Sequence, residues 1–162
     1  MSEQASDVLI IGAGISGIGG AAYRMQEKNP QVSYTVLERR SRIGGTWDLH
    51  QYPGGIRSDS DIFTLSYPFE PWTRPENVAD GADIRDYLTE TARKHGIDRH
   101  IRFNTRVLSA DWDSTTDTWT VHAEEDGAPD DLPGALPVLR HRLLQLRRAV
   151  PSGLPGSRLV RR

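Results

Sequence analysis

The sequence predicts an α/β fold, a doubly wound and mostly parallel sheet with a β-hairpin or meander attached, and three observations predict it. Val8, Leu9, Ile10 and Ile11 form a continuous apolar run that ends in glycine, the pattern of a strand buried on both faces in a parallel sheet. Gly12-Ala13-Gly14-Ile15-Ser16-Gly17 follows at once and opens a segment of small and apolar residues at helical spacing. An acid, Glu38, ends a second apolar run 21 residues after Gly17. Strand, glycine turn, helix and strand within about thirty residues make the crossover unit of a Rossmann-like domain.

Each element has a local reason. The first helix is expected from Ile15 to about Gln26, closed by Asn29-Pro30. The second strand covers Tyr34 to Glu38. "GADIRDYLTETARKHGI" places Ile84, Tyr87, Leu88, Thr91 and Ala92 on one helical face, with Asp83 as the N-cap and Gly96 as the stop. "IRFNTRVLSADWD" and "TWTVHAE" read as two strands joined by "STTD", with Trp112 and Trp119 as packing aromatics.

Composition bounds the function. A chain of 162 residues holds one domain with a real core rather than two. Mean hydropathy is −0.55, no run of eighteen apolar residues occurs, and "MSEQASD" lacks the features of a secretory signal, so a cytoplasmic location without a transmembrane segment is expected. The absence of cysteine excludes disulfides and thiolate chemistry. His50, His95, His100, His122 and His141 show no ligand spacing and no serine sits in a nucleophile elbow, so neither a metal site nor a serine hydrolase is expected.

Charge divides the chain. Residues 1–131 carry 13 Lys+Arg against 22 Asp+Glu, whereas residues 132–162 carry seven arginines and no acid. Half of the ten prolines lie between Pro129 and Pro155, which breaks any helix or strand pattern there. The organisation read from this is a partial dinucleotide-binding domain over 1–131 and a Pro/Arg-rich tail over 132–162. The tail has no aromatic residue and the body is acidic, which argues against nucleic acid as a partner.

The glycine motif carries the chemistry. Gly12 permits the tight turn, Gly14 lets backbone amides approach a pyrophosphate, and Gly17 lets the helix lie close on the strand. The helix N-terminus offers unpaired N–H groups, Ser16 adds a hydroxyl, and Glu38 accepts from a ribose diol. Packing relief alone would also use glycines but would not need the acid at this spacing. Glu38 favours an unphosphorylated ribose, as in FAD or NAD. Arg39, Arg40 and Arg42 follow it, either on a solvated loop or facing the 2′-phosphate of NADP.

"GGTWDLHQYPGGIRSDSD", residues 44–61, has neither helical nor strand period but is rich in glycine and recognition residues, so it is a loop that approaches something closely. With "DVLIIGAGISG", "LERRSRIGGTWDL", "FEPW", "HGIDRHIRFNTRVLSADW" and "WTVH", it makes the chain resemble the Baeyer-Villiger type of flavin-dependent monooxygenases, in the ethionamide-activating branch, over nearly all of residues 7–122. The resemblance implies FAD extended across the first crossover unit, contacted by Ser16, Glu38, Thr46, Trp47, Asp48 and Leu49. It also implies that Arg57, Ser58 and Asp59 face NADPH, that Asp59 orients a catalytic arginine lying elsewhere, and that the Val107 backbone meets the adenine. In such enzymes the flavin, reduced by NADPH, activates O2 to oxidise a ketone or a sulfur compound.

Two departures matter. Tyr52-Pro53-Gly54-Gly55-Ile56-Arg57 holds one glycine more than the family pattern, which either turns Arg57 and Asp59 away from the flavin or is absorbed by the glycine pair as a bulge; the second reading is adopted here. The chain also lacks a second Gly-x-Gly-x-x-Gly and the family fingerprint. It is therefore expected to be an N-terminal FAD-binding segment, incomplete at its C-terminus and inactive alone, with a non-catalytic FAD- or NAD(P)-binding module as the alternative. With suitable synonymous codons, "LLQLRR" (143–148) read one base later spells Tyr-Tyr-Asn-Tyr-Asp-Glu, similar to a motif of the family, so the tail is expected to be disordered or the product of a shifted frame. Without the family's next strand, the parallel sheet is expected to keep an open apolar edge.

Overall fold

The apolar run Val8–Ile11 forms strand β1, flanked by β2 (Tyr34–Leu37) in parallel register, Val8 opposite Tyr34 and Ile11 opposite Leu37. Val8, Leu9, Ile10, Val36 and Leu37 are buried, as two-sided strands must be. A computed structural model describes residues 6–133 and 136–138. Between β1 and β2 runs helix α1, a π-helical segment Ser16–Tyr23 that continues as α-helix over Arg24–Lys28.

Short helices α2 (Thr46–Leu49) and α3 (Ile62–Leu65) lie in the long loop that follows β2. Helix α4 (Gly81–Lys94) then packs Ile84, Tyr87, Leu88, Thr91 and Ala92 into the core, as its period predicts. Each fully buried Ile or Leu contributes about 1.5–3 kcal/mol, and Ile10, Ile18, Ile62, Ile84, Leu88 and Ile97 belong to one cluster beneath the sheet. Gly96 ends α4 at φ +66°, the left-handed stop the sequence predicts. The N-cap is a correction. Helix α4 begins after Asp80, not at Asp83, and Asp80 makes no side-chain cap because its carboxylate meets Arg57 at 2.8 Å. Asp83 instead holds Arg74 at 2.9 Å from the first turn, where a carboxylate also suits the helix dipole.

After a 3-10 turn, Ile97–His100, the stretch read as one strand divides. Ile101–Arg102 (β3) joins β2 in the parallel sheet, and Asn104, at φ +55°, breaks the chain before β4 (Thr105–Asp113). Strands β4, β5 (Thr118–Glu125) and β6 (Ala128–Pro133) form an antiparallel meander. Its inner face lays Val107, Ala110, Val121 and Leu132 on Leu9 and Leu37, the opposite side of the sheet from α4. Trp112 stands directly opposite Trp119, with ring centroids 5.5 Å apart.

The composition boundary after Asp131 falls inside β6, and a further strand, β7 (Leu136–Val138), pairs in parallel with β1. The proline-rich stretch thus carries strands that the sequence reading denied it. Pro129 and Pro133 lie on β6, the edge of the described three-stranded sheet, where proline is tolerated. The sheet order is β3-β2-β1-β7, so the edge of β1 expected to be open is covered over Val8–Ile10. The expectation of a disordered or frameshifted tail, with His141 and "LLQLRR", lies outside the described residues beyond 138.

The meander carries an ionic clasp. His122 on β5 places Nδ1 2.7 Å from Asp131 on β6 and Nε2 3.3 Å from Asp111 on β4. The hydrogen bond to Asp131 raises the imidazole above its ordinary 6.5, assisted by the charges of Asp131 and Asp111. A raised folded-state value stabilises the fold fully below the unfolded value and loses that contribution as pH climbs through the folded one. We expect thermal stability to decline from about pH 6.5 upward through that window, with the decline absent in His122→Gln. Melting curves of both chains across pH 5.5 to 8.5 check it, and parallel profiles would remove His122 as the cause.

Candidate functional site

Glu38 is the anchor of the site. It follows β2 directly, is 4% exposed, and its two carboxylate oxygens accept from Ala13 N at 2.7 Å and Arg40 N at 3.0 Å. Its own amide donates to Arg102 O and its carbonyl accepts from Thr105 N, both at 2.9 Å, which joins the end of β2 to β3 and β4. A buried carboxylate is tolerable because both oxygens receive charge-assisted bonds from backbone amides.

The glycine turn is built by close approach. Gly12 has φ +97° and donates to Leu37 O at 2.8 Å, and a Cβ on Gly17 would stand 1.8 Å from Gly12 O. Gly14 meets the second glycine motif, Gly44-Gly45, backbone to backbone. Cβ atoms on Gly14 and Gly45 would lie 3.3 and 2.9 Å from the opposing Cα, and Gly44 N donates to Ala13 O at 3.1 Å. Part of what "GGTWDL" approaches is therefore the glycine loop itself. The opening amides of α1, with Ser16 exposed beside them, have no intrahelical acceptor.

Arginines that could have met a 2′-phosphate turn elsewhere. Arg42 Nε lies 2.5 Å from Oδ1 of Asp48, with Arg40 at 3.7 Å from Oδ2 and Arg85 of α4 at 3.7 Å from Oδ1. Asp48 is buried, and its Oδ1 gains charge contact from Arg42 without an aligned hydrogen bond. Arg39 stays exposed. The solvated-loop reading holds for Arg39, whereas Arg40 and Arg42 serve a buried carboxylate.

The other residues singled out in the sequence fall into two groups. Thr46 and Leu49 are exposed on α2, and half-buried Trp47 packs towards Gly81, where an added Cβ would come within 3.7 Å of its ring. Arg57 bridges to Asp80, while Ser58 is buried with its amide donating to Ala79 O at 2.9 Å and its Oγ accepting from Ala79 N at 3.1 Å. Asp59 is exposed and accepts from the Ser60 hydroxyl at 3.5 Å. Val107 sits half-buried on β4, two residues from the Thr105 amide that binds Glu38. The extra glycine is taken up in a turn: Gly55 N donates to Tyr52 O at 2.9 Å, Gly54 and Gly55 have φ of +91° and +81°, and the strap from Ile56 O to Gly81 N resumes at once. Pro at the second position and a positive-φ glycine at the third are the demands of a type II turn.

Two cavities, about 250 Å³ beside Trp72 and Arg74 and about 510 Å³ beside Tyr34 and His100, contain none of these residues. Sequence reasoning missed Arg85 and Tyr67. Tyr67 lies on Gly19, where a Cβ would stand 2.0 Å from its ring, and its only early signal was the surplus glycine in "SGIGG".

Residues 10–83 match the NAD(P)-binding Rossmann-like domain family. Over 121 residues the chain is 55% identical to the FAD-containing monooxygenase EthA of Mycolicibacterium smegmatis, covering 75% of this chain and 24% of that protein. Over this stretch the chain is similar to FAD-containing monooxygenases. It spans about a quarter of the length of the curated relatives it matches. Among solved structures, an oxidized steroid monooxygenase bound to NADP aligns at TM-score 0.71 and 32% identity, covering 82% of this chain and 25% of that one. OTEMO in complex with FAD and NADP aligns at TM-score 0.69 and 26% identity, covering 85% and 26%. Among the described residues no helix is long and apolar enough to cross a membrane.

The contact of Gly17 with Gly12 yields a test. Gly17→Ala forces a methyl against a backbone oxygen, and the unfolding free energy should fall by about 1–3 kcal/mol or more, the cost of overpacking. Urea denaturation measures it, and wild-type stability would mean that α1 does not lie this close to β1.

Proposed function

We propose that this chain is the FAD-binding segment of a FAD- and NADPH-dependent monooxygenase that oxidises ketones or sulfur compounds with O2 in the cytoplasm, and that alone it binds dinucleotide without turnover. The single observation that carries the reading is the buried carboxylate of Glu38 beside the glycine loop, with Arg40 and Arg42 drawn away to Asp48. That arrangement suits an unphosphorylated ribose, as in FAD, and disfavours NADP at this position.

The residues fit the group. Gly14 and Gly45 leave a bare backbone surface that a Cβ on either would fill, the opening amides of α1 and the Ser16 hydroxyl suit a pyrophosphate, and Glu38 has acceptor capacity beyond its two amides. Thr46, Trp47, Asp48 and Leu49 would border the flavin half, with Asp48 acting through the arginines it holds. Arg57, Ser58 and Asp59 would face NADPH, Asp59 would orient the catalytic arginine, and Val107 would offer its backbone to the adenine. Bound FAD supplies the redox chemistry. The chain's own residues bind and orient, and the pocket that selects a substrate belongs to the larger part of the relatives that this chain does not span.

We expect the chain to bind FAD and 5′-ADP, to bind 2′,5′-ADP at least about tenfold more weakly, and to show no NADPH oxidation. In Glu38→Ala the affinity for FAD should fall by about tenfold to a hundredfold, the loss of bonds to a charged acceptor. Isothermal titration with the three ligands decides this. A preference for 2′,5′-ADP would reverse the assignment of the ribose, and NADPH-driven oxygenation by the chain alone would end the claim that it is only a binding segment.

A further inference from the structure

Helix α1 opens on one α-type bond, Ile18 N to Gly14 O at 3.0 Å, and then changes its winding. Over Ser16–Tyr23 it is wound as a π-helix, a rare form in which each N–H bonds five residues back, found mostly as short insertions at functional positions. The α ladder is usually disturbed by a proline, by a Gly/Ser pair such as Ser16-Gly17, or by a group inserted into its i→i+4 bonds. No proline lies in this segment.

Tyr67 supplies the inserted group. Its hydroxyl donates to Ile15 O at 2.5 Å, and its ring lies directly over Gly19. Ile15 carbonyl and Gly19 amide are the partners that an α-helix would bond to each other. The phenol reaches that carbonyl because Gly19 has no side chain, since a Cβ there would overlap the Tyr67 ring at 2.0, 2.4 and 2.5 Å. The ring is held from behind. Tyr67 N donates to Tyr87 Oη at 2.8 Å, Tyr87 donates to Glu70 O at 2.5 Å, and Phe69 stacks between the rings of Tyr67 and Tyr23. Burial raises both phenols above their ordinary value, so each stays a neutral donor at physiological pH.

We propose that Tyr67 is a positioning residue, its hydroxyl on Ile15 O and its ring on Gly19 so that α1 holds π winding from Ser16 onward and the free amides of its opening turn are aimed at the pyrophosphate of the dinucleotide. The wedge acts on the turn that follows Gly14 and contains Gly17, so relaxing it rotates those amides without touching Glu38 or the adenosine end. This deepens the dinucleotide reading of the site and rests on it. The pair is reciprocal: Gly19 admits the ring, and the ring sets the winding that Gly19 permits.

The test uses the full 162-residue chain, labelled with 15N and 13C, as wild type and Tyr67→Phe. Removing one oxygen leaves the ring, its stacking and its bed on Gly19. We expect no through-hydrogen-bond coupling from Gly19 N to Ile15 C′ in the wild type and its appearance in Tyr67→Phe. Affinity for FAD and for ADP should fall about tenfold, the equivalent of one net hydrogen bond, while millimolar adenosine, followed by chemical shift, binds both chains equally. Direct Gly19–Ile15 coupling in the wild type would show that no wedge exists. Coupling that appears in Tyr67→Phe with FAD and ADP affinity unchanged would overturn the positioning role and leave the site reading standing, and an equal loss for adenosine would reduce Tyr67 to general support of the fold. A wild type with the wedge but no affinity for FAD or ADP would instead bring down the dinucleotide reading itself, and the role of Tyr67 with it.

Discussion

A single buried anion organises this chain. The Glu38 carboxylate cannot be desolvated without donors, and the fold delivers one backbone amide to each oxygen, from Ala13 in the glycine loop and from Arg40 in the loop after β2. Those two bonds fix how the turn after β1 sits against the end of β2. Main-chain bonds from the same residue to Arg102 and Thr105 then fix where the parallel sheet gives way to the meander. The acid that recognises a ribose in the proposed function is thus also the clamp that forms the cradle. A substitution at Glu38 therefore perturbs ligand contact and loop placement together, which is why its effect is best read as a change of preference between ligands rather than as a loss alone.

Around that clamp, five glycines of the first forty-five residues take part in three separate approaches. Gly17 lies under the Gly12 carbonyl, Gly14 lies against Gly45, and Gly19 lies under the Tyr67 ring. Helix α1 is pressed on its strand side, its loop side and its α4 side, and in each place a methyl group would displace backbone or a buried aromatic. A fingerprint gives two of these glycines a task in ligand binding or packing. The structure adds that the same absence of side chains admits the protein's own segments, so the loop 44–61 and the aromatic cluster around Tyr67 are docked on the glycine turn and the helix it opens rather than merely near them.

Much of this was legible because it depends on period and local chemistry. The apolar runs of β1 and β2, the face of α4 and its stop at Gly96 follow from spacing alone, and the glycine turn with its distant acid follows from a motif whose parts are chemically necessary. What escaped depends on partners distant in sequence. Asp48 could not be read as the seat of Arg40, Arg42 and Arg85, since Arg85 reaches it only once α4 has packed. Asp83 looked like a cap because the helix start was drawn too late, while Asp80 was already committed to Arg57. Strand β6 was hidden by its prolines, which obstruct an inner strand but not an edge, and β7 by its position in a Pro/Arg-rich stretch whose pairing is decided by the free edge of β1 rather than by its own residues.

The two ends of the proposed site differ in how far this chain completes them. At the adenosine end, Glu38, the glycine turn and the start of β4 are buried or held by several hydrogen bonds from within the chain. At the redox end, Thr46, Leu49, Arg57 and Asp59 are exposed, and Asp59 accepts a long hydrogen bond from its neighbour Ser60. Binding requires only that one end be preorganised, whereas chemistry requires reacting groups held to within about half an ångström by a supporting shell. In the proposed function, recognition of the nucleotide rests on these residues, while catalysis would need contacts to Asp59 and Arg57 beyond the Ser60 bond and the Asp80 ion pair found among the described residues. The division follows from where the buried polar groups lie, and it separates binding from turnover in the same stretch of sequence.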